Sequence, residues 1–148
     1  MNISVVHQPI EQSNVDIIIV FAGKDSDFSN LFPKEVASKL LVLTKKALFT
    51  GEWGRAELFI APEGIPASLI AVLGTGNNTN SQDSQYEGLR RALAMVLVDA
   101  RVHMASRVGI MLPNNNVITP IVESLFLTNY WFTEHSKAMA QDAHMRSL

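Results

Sequence analysis

Asp16-Ile17-Ile18-Ile19-Val20-Phe21 is apolar at five consecutive positions and β-branched at four of them. β-branched side chains pack well on a pleated backbone, and a strand with one wet face alternates polar with apolar residues. This run does not alternate, so both of its faces are covered. It reads as a buried strand of a largely parallel sheet, with helices above and below.

The segments around it fit that reading. On the N-terminal side, Ile3 to Val6 is a second β-branched stretch. On the C-terminal side, Ala22 to Asn30 has the Gly, Ser and Asp content of a loop. From Pro33 to Phe49 the apolar residues Val36, Leu40, Leu43 and Ala47 recur at helical spacing, with Lys34, Lys39, Lys45 and Lys46 on the remaining surface. Thr50-Gly51 is expected to stop this helix, since glycine takes the left-handed conformation at little cost.

Ala56 to Ala61 and Ser68 to Leu73 read as strands joined by a turn over Pro62 to Pro66, a spacing that allows a hairpin. Gly74-Thr75-Gly76 opens a polar loop that runs to Asp83. Ser84-Gln85-Tyr86-Glu87 then matches a capping box and predicts a helix start there. That helix, Gln85 to Arg101, carries Leu89, Ala92, Leu93, Val96, Leu97 and Ala100 on one face, with Glu87, Arg90, Arg91 and Asp99 off it. A strand from Arg107 to Leu112 follows, and strand, helix, strand in that order predicts a parallel crossover. Asn114 to Asn116 is a turn. Thr119 as N-cap with Pro120 at the first position predicts a last helix to Phe132 that packs Ile121, Val122, Leu125 and Phe126. Thr133 to Leu148 loses apolar periodicity and reads as a tail.

The chain has 148 residues, 47% of them hydrophobic and 18% charged, which suits one globular domain with a real core. A net charge of -2 and scattered Lys and Arg leave no stripe to neutralise phosphates, so nucleic acid is not an expected partner. The absence of cysteine excludes disulfides and thiolate metal sites and agrees with a cytoplasmic location. No apolar run approaches the roughly 20 residues of a bilayer span, and Met1 to Ile10 lacks the pattern of a secretory signal, so no membrane is expected as a partner.

Catalytic constellations do not assemble from this sequence. His7, His103, His135 and His144 lack the spacing that stacks two ligands on a helix face, and no serine stands in a Gly-x-Ser-x-Gly turn. Asp25 with Asp27, and Glu52 with Glu57, read as solvated loop charges; Trp53, Tyr130, Trp131 and Phe132 read as packing residues, since no basic residues interleave with them. The expected site residues are therefore catalytic none, metal none. One stretch carries a candidate ligand site: Gly74, Thr75, Gly76 and Asn77, a glycine loop between a buried strand and a helix, where exposed amides could hold an anion. It lacks the third glycine of a dinucleotide fingerprint and the lysine of a phosphate loop, and a purely structural turn is the competing reading.

The order of these segments resembles the N-terminal domain of the leucyl (cytosol) aminopeptidase family. The resemblance rests on Asp16 to Phe21, on Ala47-Leu48-Phe49-Thr50-Gly51-Glu52 with Gly54, and on Ala71-Val72-Leu73-Gly74-Thr75-Gly76. It continues in Glu87-Gly88-Leu89-Arg90-Arg91-Ala92, in Val122 to Phe132 and in Lys137. Glu52, Thr75 and Ser124 depart from the family's usual lysine, leucine and glycine.

What the resemblance implies is an α/β, three-layer, macro-domain-like fold over 1–137: a mixed, mostly parallel sheet with helices on both faces. Residues 138–148 would be a tail or linker to a catalytic domain absent from this chain. The parent would be a hexameric metallopeptidase whose two divalent ions, zinc or manganese, sit in its C-terminal domain, leaving no cofactor here. The expected partners are that peptidase domain and the other subunits of the homo-hexamer, and the expected role lies in assembly or in access to the active site. The alternative is a free-standing macro-like module that binds a nucleotide derivative such as ADP-ribose at the glycine loop.

Overall fold

The computed structural model describes residues 12–76, 82–112 and 118–128. Its four strands are β1 (Ile17–Ala22), β2 (Ala56–Ile60), β3 (Leu69–Gly74) and β4 (Val108–Ile110). They form one sheet in the order β2-β3-β1-β4. β1 is central and pairs in parallel with β3, from Ile17 opposite Leu69 to Ala22 opposite Gly74, and with β4 on its other side. β2 closes one edge antiparallel to β3, Ala56 opposite Leu73, which is the expected hairpin.

Successive strand residues point to opposite faces, so a run with no polar members must be covered twice. Ile17 and Ile19 pack with Leu89, Leu93 and Val96 of α2 (Gln82–Val102), and with Ile121 of a third helix, α3, over 118–128. Ile18 and Val20 pack on the other side with Val36, Ala37 and Leu40 of α1 (Lys34–Lys46). All four of these β1 residues are fully buried. Each such side chain contributes about 1.5–3 kcal/mol relative to exposure. The result is the expected α/β fold, a mixed, mostly parallel sheet with helices on both faces.

The crossover from β3 through α2 delivers β4 to the far side of β1. A carboxylate anchors that arrival. Asp16 Oδ2 accepts from the Ser106 amide and hydroxyl, both at 2.9 Å, and from the Arg107 amide at 2.8 Å, while Oδ1 accepts from Arg107 Nη2 at 3.0 Å. These donors, led by the Ser106 amide, hold the Asp16 carboxyl well below the usual carboxylate range.

Helix boundaries depart from the sequence reading in three places. α1 ends earlier than Phe49, and the left-handed residue that closes it is Leu48 at φ 55°, while Gly51, left-handed at φ 71°, lies three residues further on. The Leu48 amide donates to Lys45 O at 3.1 Å and the Phe49 amide to Thr44 O at 3.0 Å, the paired closure that satisfies a helix's last carbonyls. α2 begins at Gln82, ahead of the capping box, so Ser84 lies inside the helix. α3 likewise includes residue 118, so Thr119 is helical and no N-cap. Of its expected packing residues, Ile121 is buried and Leu125 partly so, whereas Phe126 is 56% exposed. Ser124 is buried instead, its hydroxyl donating to Pro120 O at 2.7 Å. That internal bond lets a polar side chain sit against the core.

The strand expected at Ile3 to Val6, the turn at Asn114 to Asn116, the aromatics Tyr130 to Phe132 and the tail lie outside the described residues.

Candidate functional site

In open α/β sheets ligands enter the crevice at the carboxyl ends of the parallel strands. Here β1 leads into Gly23-Lys24 and β3 into Thr75-Gly76, while the N-terminal half of α2 passes nearby at Gly88. Another part of the same chain lies in that crevice, the segment Gly51-Glu52-Trp53-Gly54-Arg55.

The approach is backbone to backbone. A Cβ on Gly51 would stand 2.2 Å from Lys24 N, and one on Gly74 would stand 2.0 Å from Glu52 O. One on Gly76 would stand 1.9 Å from Trp53 Cδ1, so the indole lies directly on the glycine. Gly88 meets Gly54 N at 3.1 Å and Trp53 Cβ at 3.2 Å by the same measure. Gly51 and Gly74 have no room for a side chain, because a Cβ within 3 Å of backbone has nowhere to go, whereas Gly76 is held by the indole and Gly88 is merely tight.

Hydrogen bonds stitch the segment in. The Gly74 amide donates to Arg55 O at 2.8 Å, the Gly76 amide to Gly51 O at 2.7 Å, and the Thr75 amide to Ala22 O at 3.1 Å. The amides of Gly74, Thr75 and Gly76, the described members of the candidate anion loop, are thus each engaged by a carbonyl. Asn77 lies outside the described residues. The Trp53 ring packs against the cluster formed by Ile17, Leu73 and Leu89, in keeping with its reading as a packing residue.

The other polar candidates are dispersed. Asp27 Oδ1 accepts from the Ser29 amide at 2.9 Å and Oδ2 from the Ser29 hydroxyl at 2.6 Å, which lowers its pKa and makes it the cap of a short turn at Phe28–Asn30. Asp25 is itself left-handed at φ 56°, and Glu52 is exposed. His103 is exposed, and His7, His135 and His144 lie outside the described residues. Among the described residues no three His, Asp or Glu side chains gather as metal ligands. No described helix is long and apolar enough to cross a membrane.

Sequence reasoning missed the crevice's other lining, Gly23, Gly51, Gly54 and Gly88. The available signal was Gly51-x-x-Gly54 around a tryptophan, an expensive pair of glycines for a mere loop.

The profile of the cytosol aminopeptidase family's N-terminal domain matches residues 17–137. A probable cytosol aminopeptidase of Alcanivorax borkumensis is 27% identical over 92 residues, 62% of this chain and 19% of that protein. The match thus spans about a fifth of that relative's length. Among solved structures, the macrodomain of Thermus aquaticus DarG aligns with a TM-score of 0.56 at 14% identity, over 81% of this chain and 87% of that one. It shares the fold. The extent of the profile match establishes the family: this chain belongs to the cytosol aminopeptidase family and carries its N-terminal domain.

Proposed function

We propose that this chain is the non-catalytic N-terminal domain of a metal-dependent leucyl aminopeptidase of the cytoplasm. Its role lies in assembly of the parent hexamer or in access to its active site, with the two divalent ions and the hydrolytic chemistry in a C-terminal peptidase domain. The observation that carries this reading is the Trp53 segment in the strand-end crevice. With that crevice closed by its own backbone in the resting state, the domain presents its outer surface to partners. The alternative, a module for ADP-ribose at Gly74 to Asn78, would draw on the amides of Gly74, Thr75 and Gly76, which already donate to Arg55, Ala22 and Gly51.

The purified chain is expected to leave a leucine chromogenic substrate intact with or without manganese. Mixed with the separately produced peptidase domain of the Alcanivorax relative, it is expected to co-elute in gel filtration. Metal-dependent hydrolysis by the chain alone overturns the proposal.

A further inference from the structure

The segment from Gly51 to Arg55 is built differently from the sheet it covers. Gly51 at φ 71° and Gly54 at φ 84° bracket Glu52 and Trp53, so the backbone turns at two residues of high conformational freedom. The segment is tied to the neighbouring strand end by the Gly74 and Gly76 amides, and its own Arg55 amide turns back to Glu52 O at 3.1 Å. Thr50 Oγ1 at its root and Trp53 Nε1 at its centre are buried without a hydrogen-bond partner. A buried donor without an acceptor raises the free energy of the closed form, and the cost vanishes once the group reaches water. Packing of the indole on Gly76 opposes this. The ladder of β1 and β3 below, buried at every position but Phe21, carries no such penalty.

We propose that Gly51 to Arg55 is an autoinhibitory strap, which closes the strand-end crevice with Trp53 in the resting state and lifts as a unit while the sheet stays folded. Lifting removes the ring from Gly76, frees the Gly74 and Gly76 amides, and lets Trp53 Nε1 and Thr50 Oγ1 be solvated. The open form alone presents the carboxyl ends of β1 and β3 to a ligand, so access is set by the strap's equilibrium. This inference is independent of whether the parent is a peptidase.

Native-state hydrogen exchange on the unmodified chain tests it. The amides of Arg55, Gly74 and Gly76 are expected to share one opening constant, about a hundredfold or more larger than that of Val20 and Val72 inside the ladder. Gly51→Ala provides a second arm, because its Cβ would stand 2.2 Å from Lys24 N in the closed form. In a Trp131→Phe background, this variant is expected to keep Val20 and Val72 protected while Trp53 fluorescence becomes open to acrylamide. Equal protection of Gly76 and Val72 in the unmodified chain overturns the strap. So does loss of sheet protection together with the strap in Gly51→Ala.

Discussion

Trp53 and Gly76 are in direct contact, the indole edge lying where a side chain on residue 76 would have to begin. Gly76 also has φ 64°, so it is constrained twice, by backbone conformation and by the ring above it. Gly76→Ala is expected to destabilise the fold by about 2–4 kcal/mol, more than the left-handed backbone alone would cost. Urea unfolding checks this. A loss under about 1 kcal/mol would mean that the ring does not rest there.

Ile18 and Ile19 are neighbours in sequence that face opposite helices, and both are fully buried. Ile18→Val and Ile19→Val are each expected to cost about 0.5–1.5 kcal/mol, because each removes a methylene from under a different helix. A sheet covered on one face only would spare one of the two. Thermal or urea unfolding of the single and double variants distinguishes these cases.

Asp16 contributes stability through its ionised form, since its folded pKa lies below the unfolded one. That contribution is complete above about pH 4, the ordinary carboxylate value, and is lost progressively as the pH falls below it. Asp16→Asn keeps part of the acceptor geometry but not the charge. It is expected to lower stability at pH 7 and to flatten the acid limb of the stability curve between about pH 4 and pH 2. An unchanged acid limb would show that Asp16 titrates normally.

Leu48 is 81% exposed and sits at φ 55°, so it gives up little packing while bearing the strain of a left-handed residue. Leu48→Gly is expected to raise stability by about 0.5–1 kcal/mol, read as a higher urea midpoint at unchanged slope. A lower midpoint would place the helix end elsewhere.

The sheet was legible because its central strands β1 and β3 are apolar without alternation, and that pattern has one physical meaning: cover on both sides. Ile17 to Phe21 and Ser68 to Leu73 could be placed almost to the residue, and so could the buried faces of α1 and α2. Helix starts were less legible. Ser84 and Thr119 both have good capping chemistry, yet each helix begins before them, because packing of the apolar face outweighs a cap worth about 1 kcal/mol. Leu48 escaped notice for a related reason, since nothing local marks a leucine as left-handed when Gly51 stands close by.

The candidate site was half legible. Gly74 and Gly76 could be singled out as a strand-end loop, but what fills the crevice comes from Trp53, more than twenty positions earlier. Contacts between distant segments leave no local pattern. The ion pairs of α2 show the same division: Glu87 with Arg91 is one helical turn apart and readable, whereas Arg90 with Glu123 of α3 is known only from the fold.

Whether the chain fills its own crevice is tested most directly by titrating ADP-ribose into the unmodified protein in a calorimeter. A flat titration at about 1 mM ligand is expected, because binding would have to displace the Trp53 ring and three engaged amides, which lowers apparent affinity by the rarity of the open form. Saturable heat with a micromolar Kd, abolished by Gly76→Ala, would contradict it.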